Sequence, residues 1–396
     1  MEEQEDKPKI GEMMKKNRKL VGVLLVMALS VAASGCASNS SDSENASNGA
    51  EAGEGNSLTD AWAGDWAIAG LENPGIAVSD WAISNVDTSG FKKDGPYRIG
   101  FASQGPTNSW ATVYDEALKA RAAELNVELV YVSADGKEDK QVNDLNDLLA
   151  QGVDAVVVAP MGPAIAAPVK RLTDAKVPVI ACAGELPEAT ATVVRDNRLN
   201  GAMYAEWIAK KIKGKGNIIM LSGILATQTA LNRKDAALEV FAKYPDIKIL
   251  DSGETNWSPT EAKTVMEQLL TKHGDKIDAI WSDSGINDVG VIPVYVEAGK
   301  KIPPMTGEPL NGFLKLAKTH NVDFLAVGYP PTMSVDCLNA AVDALQGKPL
   351  TSWVNAPVPI FELSGVDKFV KEACSDDLWV PAVGLGDELL KKLKLC

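Results

Sequence analysis

From residue 97 onward, the chain alternates short apolar segments rich in β-branched residues with longer amphipathic segments. The apolar segments include YRIGFAS (97–103), ELVYVS (128–133) and DAVVVAP (154–160). The amphipathic segment 137–151 has apolar residues at helical spacing and is followed by Gly152, a residue typical of helix ends. This alternation is typical of βα units, which predict an α/β fold with parallel sheets covered by helices on both faces.

The alternation falls into two successive sets. The first ends with the short strand segment ATVVRD (191–196), and the second runs from a predicted helix at Leu199–Ile212 to a strand at Phe324–Tyr329. A further helix, Met333–Leu345, and a last strand, Val354–Phe361, follow. Two sets predict two doubly wound lobes. Ligands bind outside the carboxyl ends of the strands in open α/β sheets, so the cleft between the lobes is the expected binding site.

The N-terminal region has the features of an export signal. Four basic residues at positions 15, 16, 18 and 19 precede an apolar run, 20–33, that is short for a transmembrane helix. The following Ala33-Ser34-Gly35-Cys36 resembles a bacterial lipobox, so we expect a signal peptide at 1–35 and a lipid on Cys36. The lipid would hold the protein on the outer face of the cytoplasmic membrane. Ordinary secretion and a buried apolar segment are the alternatives.

Two segments separate this signal from the first predicted strand. Residues 36–57 contain no aromatic or branched aliphatic residue and are expected to form a flexible tether. Residues 58–95 contain Trp62, Trp66 and Trp81, whose indole rings would be costly to expose to water. This connector is therefore expected to be a strap packed on the main body, and a docking segment for a membrane partner is the alternative.

Charge and composition argue against several functions. The chain carries 39 Lys and Arg against 53 Asp and Glu, a net charge of −14, which disfavours nucleic-acid binding through a basic face. It has two histidines and five cysteines without a C-x-x-C pair, so no metal centre is expected. The sequence lacks the motifs of phosphate-binding loops, zinc proteases and serine hydrolases. No catalytic residue, cofactor or enzymatic activity is therefore expected.

Four cysteines remain after Cys36. In an extracellular compartment they can form up to two disulfides, with three possible connectivities. Cys182 lies in the apolar segment VPVIACAG (177–184) and is expected to behave as a small buried apolar residue. A disulfide between Cys374 and Cys396 is also expected, and Cys337 is the remaining cysteine.

Six segments, in a fixed order behind the lipobox, carry a resemblance that spans almost all of 97–360. They are IGFASQGPTNSW (99–110), KQVNDLNDLLAQGVDAVVVAP (140–160), VPVIACAG (177–184), the predicted helix that contains Arg233, AKTVMEQLLTKH (262–273) and AIWSD (279–283). These segments resemble bacterial ABC-importer solute-binding proteins of the ribose/galactose-binding type. The resemblance implies the type I periplasmic binding protein fold, which has two Rossmann-like lobes joined by a three-strand hinge. Residues 97–196 and 330–353 would form one lobe, and 197–329 and 354–396 the other.

Sugar-binding residues follow in part from strand ends and in part from the resemblance. Ser103, Gln104, Asn108 and Trp110 come after the first strand. By resemblance, Asn108 binds a sugar hydroxyl and Trp110 stacks on the sugar, and the alternative for Trp110 is packing on a helix face. Glu185 takes the place of an Asp-Arg pair that the ribose-binding proteins have after the fourth strand, and simple exposure to solvent is the alternative.

In the second lobe, the resemblance places a ligand-binding arginine at Arg233 and an aromatic residue at Trp257. The alternatives are a surface charge for Arg233 and core packing for Trp257. Asp283 ends the strand AIWSD, Glu308 aligns near a family aspartate, and Tyr329 stands where ribose-binding proteins have glutamine. These departures disfavour ribose itself. The added aromatic residues favour a monosaccharide or polyol with a larger apolar face.

We therefore expect a substrate-binding lipoprotein of an ABC importer. It would be a monomer that captures a monosaccharide or related polyol and delivers it to a membrane permease and its ATPase. A chemoreceptor-coupled sensor of a sugar or nucleoside with the same fold is one alternative, and an extracellular enzyme is another. A sugar-responsive repressor shares the fold, but the lipobox argues against it, and no nucleic-acid partner is expected.

Overall fold

Two six-stranded sheets, each covered by helices, form the centre of the structure. The computed structural model describes residues 63–76, 83–356, 358–382 and 384–396. The predicted signal peptide, Cys36, the tether, Trp62 and Trp81 lie outside these residues. The described residues all belong to one compact unit, 51–396.

Helices and strands alternate along most of the described chain. The helices are α1 (Ala63–Ile68), α2 (Ser109–Glu124), α3 (Glu138–Ala150), α4 (Ala166–Asp174), α5 (Asn197–Lys211), α6 (Gln228–Phe241), α7 (Pro259–His273), α8 (Gly285–Glu297), α9 (Asn311–Thr319), α10 (Met333–Leu345) and α11 (Asp387–Lys392). The strands are β1 (Asn85–Val86), β2 (Arg98–Ser103), β3 (Glu128–Ser133), β4 (Ala155–Val158), β5 (Val179–Cys182), β6 (Ala191–Val194), β7 (Lys215–Ser222), β8 (Asp246–Glu254), β9 (Ala279–Ser282), β10 (Met305–Gly307), β11 (Phe324–Val327), β12 (Leu350–Thr351), β13 (Trp353–Asn355) and β14 (Ile360–Glu362). None of the helices in the described ranges has both the length and the apolar content of a membrane-spanning segment.

The first sheet has the strand order β13-β6-β5-β4-β2-β3, and every neighbouring pair of strands is parallel. Its central strand β4, the sequence AVVV, is buried along its whole length, as expected for a strand with helices on both faces. Helix α10 packs against β4, β5 and β6 although it follows β11 of the second sheet in the chain. This sheet and its helices form lobe 1.

The second sheet has the strand order β14-β11-β10-β9-β7-β8 and is parallel except for the pair β14–β11. Helices α5 and α6 pack closely on one side of it. Gly201 in α5 makes this approach possible, because a Cβ atom there would lie 1.9 Å from the carbonyl oxygen of Arg233 in α6. This sheet and its helices form lobe 2, and the packing of α5 on α6 fixes the position of Arg233.

From β2 to β14, the chain crosses between the lobes three times: between β6 and α5, between β11 and α10, and between β13 and β14. The single strand predicted at Val354–Phe361 is wrong. β13 pairs with β6 in the first sheet, and β14 pairs with β11 in the second. Residues 354 and 355 thus belong to the sheet of lobe 1, although the sequence placed them in the other lobe. An apolar run does not reveal that the chain changes sheets within it.

The described parts of the connector lie on both lobes. Helix α1 contacts β14 of lobe 2, and Trp66 on this helix is 4% exposed. Farther along, β1 pairs with β12 in the antiparallel direction, and the amide of Lys93 donates a hydrogen bond to the carbonyl of Leu345 in lobe 1 at 2.9 Å. In its described part, the connector is therefore packed on the main body, as expected of a strap.

Two disulfides join the four cysteines. Cys182 at the end of β5 is bonded to Cys337 in α10, with a Cα–Cα distance of 5.9 Å. Cys182 is buried, but the expectation that it is a free apolar residue is wrong, because its partner comes from a helix that packs on β5. The predicted disulfide between Cys374 and Cys396 is confirmed. Each disulfide lies within one lobe.

Candidate functional site

A cavity of about 570 Å³, partly continuous with solvent, lies between the lobes at the carboxyl ends of their strands. Loops after β2 and β5 reach it from lobe 1, and loops after β7, β8, β9 and β10 reach it from lobe 2. The residues that line it are Gln104, Thr107, Asn108, Trp110, Ala111, Ala183, Ile224, Thr227, Thr229, Arg233, Trp257, Ser284, Ile286, Glu308, Tyr329 and Trp379.

Seven of the ten predicted site residues line this cavity. They are Gln104, Asn108, Trp110, Arg233, Trp257, Glu308 and Tyr329. Ser103, Glu185 and Asp283 are buried but are not part of the lining. The hydroxyl of Ser103 donates to Asp115 Oδ1 at 2.6 Å and accepts from the amide of Gly105 at 2.9 Å. Ser103 therefore fixes the loop that carries Gln104 rather than facing the cavity.

Arg233 is the central charged group of the site. It is 1% exposed, so the alternative of a surface helix charge does not apply. Its Nε donates to Asn197 Oδ1 at 3.0 Å and one terminal nitrogen donates to the carbonyl of Asp283 at 2.8 Å. The other terminal nitrogen lies 2.9 Å from Glu308 Oε1, and Ser284 Oγ donates to Glu308 Oε2 at 2.6 Å. The guanidinium is thus held in a fixed orientation at the cavity wall.

Burial and pairing together determine the charges of Arg233 and Glu308. Burial raises the pKa of Glu308, while Arg233 opposes this rise. Burial alone would lower the pKa of Arg233, but Glu308, followed by Tyr329 and Asp283, raises it above the ordinary value. Arg233 therefore stays protonated and stabilises the Glu308 carboxylate. Such a pair offers charge-assisted hydrogen bonds to ligand hydroxyls, about twice as strong as bonds between neutral groups.

Trp110 and Tyr329 form an aromatic wall that joins lobe 1 to a crossover segment. The indole of Trp110 stacks on Tyr114 with ring centroids 4.9 Å apart and lies 5.8 Å from the ring of Tyr329. Its Nε1 donates to the carbonyl of Tyr329 at 2.8 Å. The guanidinium carbon of Arg233 lies 4.5 Å from the Tyr329 ring centroid, a cation–π contact. These contacts hold the rings of Trp110 and Tyr329 in place at the cavity wall.

Trp257 forms the aromatic wall of lobe 2. Its backbone has a φ of 48°, in the left-handed region, which turns the chain sharply after β8. The indole lies directly over Gly223, where a Cβ atom would be 1.9 Å from Trp257 Cε2. Its Nε1 donates to Asp283 Oδ1 at 3.1 Å, and Asp283 Oδ2 accepts from the amide of Gly223 at 2.8 Å. Asp283 thus positions this wall from behind.

Two amide side chains of lobe 1 face the same cavity. Asn108 caps α2, with its Oδ1 accepting from the amide of Ala111 at 2.9 Å. The side-chain nitrogen of Asn108 has no hydrogen-bond acceptor among the described residues, so it is available to a ligand. Gln104 Nε2 donates to the carbonyl of Pro160 at 3.2 Å, which fixes its side chain. In the described ranges, no group of three or more His, Cys, Asp and Glu side chains is arranged to hold a metal ion.

The periplasmic binding protein domain family matches residues 99–349, which is more than half of the chain. The chain belongs to this family. The resemblance to type I periplasmic sugar-binding proteins of ABC importers is confirmed, and so is the predicted fold of two α/β lobes with parallel sheets.

A curated relative of this periplasmic binding protein is the xylitol-binding protein of Mycolicibacterium smegmatis. The two are 31% identical over 207 residues, which are 50% of this chain and 58% of that protein. The match therefore spans little more than half of the relative. These relatives are binding proteins rather than enzymes, which is consistent with the expectation that this chain is not an enzyme.

Solved structures share the two-lobed fold. The binding protein of the arabinose ABC transporter from Shewanella sp. ANA-3, bound to L-arabinofuranose, superposes with a TM-score of 0.63. It is 24% identical and is matched over 68% of this chain and 93% of its own, a likeness that shows the fold alone. The fructose-binding periplasmic domain of a hybrid two-component system has a TM-score of 0.62 and 25% identity, over 69% of this chain and 93% of its own.

Several lining residues of this periplasmic binding protein were not predicted from its sequence. Thr227 and Thr229 follow β7, so the strand-end argument that selected Gln104 would have selected them too. Ser284 follows the strand AIWSD directly and bonds to Glu308. The sequence contains no comparable signal for Trp379. This residue does not follow a strand of either sheet directly, and it reaches the cavity through its pairing with the loop after β10.

Glu185 connects the lobes just outside the cavity lining. It follows β5 in lobe 1, and its Oε2 accepts from the side chain of Asn232 in lobe 2 at 3.0 Å. Its Oε1 accepts from the side chain of Asn197 at 3.3 Å. Burial, followed by the charge of Asp196, raises the pKa of Glu185 to about 7. The predicted alternative of simple solvent exposure does not apply, since Glu185 is 9% exposed.

This raised pKa predicts a pH-dependent stability. A carboxyl group with a higher pKa in the folded state stabilises the fold fully below its unfolded pKa, about 4.5, and loses this contribution as the pH rises through about 7. Between pH 4.5 and 7 the free energy of unfolding should therefore fall by on the order of 2 kcal/mol through this group. Urea denaturation of the wild type and of Glu185→Gln across this range measures the difference, and parallel profiles for the two proteins would contradict it.

Proposed function

We propose that this protein is the substrate-binding component of an ABC importer and captures a monosaccharide or related polyol in the cleft between its lobes. One observation carries the proposal. Aromatic rings and a buried Arg233–Glu308 pair surround a cavity at the facing strand ends of both lobes. A sugar offers hydroxyl groups around its rim and weakly polarised C–H faces, which are the groups that such a lining binds. Membership of the family supports the same assignment.

Each part of the lining has a role in this proposal. Trp110, Trp257 and Tyr329 contact the C–H faces of the ligand. Arg233 and Glu308 bind its hydroxyls, together with Gln104 and Asn108. Ser103, Glu185 and Asp283 hold the surrounding loops in position. Because the ligand contacts both lobes, it binds the closed form more tightly than the open form and shifts the population toward closure. The closed lobes then present a surface to the permease.

The proposed location is the outer face of the cytoplasmic membrane. Cys36 would carry the lipid, and residues 36–57 would allow the binding body to move above the bilayer. The protein would act as a monomer with a membrane permease and its ATPase. Metabolic labelling with a radioactive fatty acid tests the anchor, because Cys36→Ala should abolish the label.

A ligand screen by thermal unfolding tests the binding function. The purified protein is heated alone and with D-xylose, L-arabinose, D-galactose, D-ribose, myo-inositol, xylitol or adenosine. A ligand at a hundredfold its Kd adds about 2.7 kcal/mol of stability and raises the Tm visibly. We expect one or more of the sugars or polyols to do so.

Two variants at one position make the screen specific for the cleft. Trp110→Ala should weaken binding at least tenfold, because the ligand loses an aromatic face, whereas Trp110→Phe should keep most of the affinity. A shift that Trp110→Ala leaves unchanged would place the ligand elsewhere. A shift with adenosine alone would change the ligand class, and the absence of any shift would contradict sugar binding.

A sensory role is the second candidate, and the likeness to the sugar-binding domain of a two-component system favours it. The two roles differ in what the closed form contacts. Addition of the sugar-loaded protein to its permease and ATPase in vesicles should stimulate ATP hydrolysis if the protein serves import. A bound sugar without stimulation would favour the sensory role.

A further inference from the structure

The last part of the chain, residues 363–396, follows β14 and is here named the C-terminal tail. It contains a 3-10 helix, Leu363–Lys368, and helix α11, and the Cys374–Cys396 disulfide closes most of it into a loop. The match to the family ends at residue 349. Any contribution of the tail to the site is therefore a property of this chain that the family match does not cover.

The tail is anchored to the loop that carries the carboxylate of the cavity. Trp379 pairs with Leu310 in an isolated antiparallel bridge, and the amide of Val380 donates to the carbonyl of Pro309 at 3.1 Å. Pro309 directly follows Glu308. The position of the tail is thus fixed relative to the Arg233–Glu308 pair.

The tail also reaches the opposite lobe. The indole Nε1 of Trp379 donates to Ser109 Oγ at 3.4 Å, and Lys392 Nζ lies 2.6 Å from Glu116 Oε2. Ser109 and Glu116 both belong to α2 of lobe 1. Trp379 is 3% exposed and is part of the lining of the cavity. The cavity therefore has an aromatic wall that neither sheet supplies.

We propose that Trp379 is a specificity-determining residue of the ligand site and makes it selective for cyclic sugars over open-chain polyols. The inference rests on the proposed function. Four aromatic side chains line the cavity, and each comes from a different part of the chain: Trp110, Trp257, Tyr329 and Trp379. Flat walls gain most from a ligand with a rigid, flat C–H face. An open-chain polyol has to freeze several rotatable bonds to make the same contacts, which costs affinity.

Pairs of compounds with the same carbon number test this selectivity. Isothermal titration compares D-xylose with xylitol and L-arabinose with L-arabinitol on the wild type, Trp379→Ala and Trp379→Phe. We expect the wild type to prefer the cyclic member of at least one pair. Trp379→Ala should reduce this preference at least tenfold, and Trp379→Phe should keep it within about threefold. A purely structural role would lower the Tm of the alanine variant and leave the ratio of affinities unchanged.

Phe369→Ala is the matched control. Phe369 of the tail stacks on Phe361 of β14, with ring centroids 4.0 Å apart, and is not part of the cavity lining. Its loss should therefore lower the Tm and keep the preference. Unchanged selectivity in Trp379→Ala, or a wild type that prefers the polyols, would overturn the inference and leave sugar binding intact. A wild type that binds none of the sugars and polyols in either screen would overturn both this inference and the proposed function.

Discussion

Replacement of Arg233 with alanine is expected to abolish measurable sugar binding and to lower the free energy of unfolding by about 3–5 kcal/mol. Both effects have the same cause. Arg233 is the cation that stabilises the buried Glu308 carboxylate, and its other nitrogens bond to Asn197 and to the carbonyl of Asp283. Without it, the buried Glu308 carboxylate loses its cation, and two buried acceptors, Asn197 Oδ1 and the carbonyl of Asp283, lose this donor.

Urea denaturation and titration with the ligand found in the screen measure the two effects. Arg171→Ala is the matched control, because Arg171 bonds to Asn146 on an exposed surface and its loss should change stability by less than about 0.5 kcal/mol. Glu308→Gln should also be destabilising, because it leaves the buried Arg233 guanidinium without its carboxylate partner. Wild-type stability and affinity in Arg233→Ala would show that the pair is neither a structural nor a binding element.

Removal of the Cys182–Cys337 disulfide by a double change to alanine is expected to lower the free energy of unfolding by about 3–5 kcal/mol. The two cysteines are 155 residues apart in sequence, so the bond removes many conformations from the unfolded chain. Alanine avoids the added cost of a buried hydroxyl. Urea denaturation of the double variant, beside the wild type with and without reductant, measures the loss.

The second disulfide provides an internal comparison. Cys374 and Cys396 are 22 residues apart, and the same relation gives about 3 kcal/mol for their removal. The Cys182–Cys337 variant should therefore be the less stable of the two. The unfolded wild type can also be treated with a thiol reagent in the absence of reductant. Reaction at Cys182 and Cys337 would show that the two cysteines do not form a disulfide, and would contradict the predicted loss of stability.

Much of the fold could be predicted, because the spacing of apolar residues and the length of each segment distinguish its helices from its strands. Helix Met333–Leu345 begins and ends where its sequence pattern predicts. The change of sheet within 354–361 could not be predicted from sequence. Its apolar residues suit a strand in either sheet, and the crossing depends on tertiary pairing. The partner of Cys182 was hidden for a similar reason, since Cys337 lies in a helix whose packing on β5 is not a local property.

The site could be predicted where side chains follow directly from strand ends. Gln104, Asn108 and Trp110 come directly after β2, and the cavity lies there. Ser103 and Asp283 were expected in the lining because they also end strands, but they bond inward to Asp115 and to the amide of Gly223. Strand-end position alone does not indicate which way a side chain points. Trp379 depends on pairing with a loop far away in sequence, which no local pattern reveals.

The strap has a consequence for where the folded body begins. Similarity to the family starts at residue 99, yet Trp66, Leu71 and Ile76 are buried with the apolar core. Burial of a leucine or isoleucine side chain contributes up to about 1.5–3 kcal/mol to stability. A chain that began just before β2 would therefore lose several kcal/mol of its free energy of unfolding and would expose apolar surface to water. The start of the family match and the start of the packed residues are therefore two different N-terminal boundaries. The border that matters for making it in the laboratory lies upstream of Ala63.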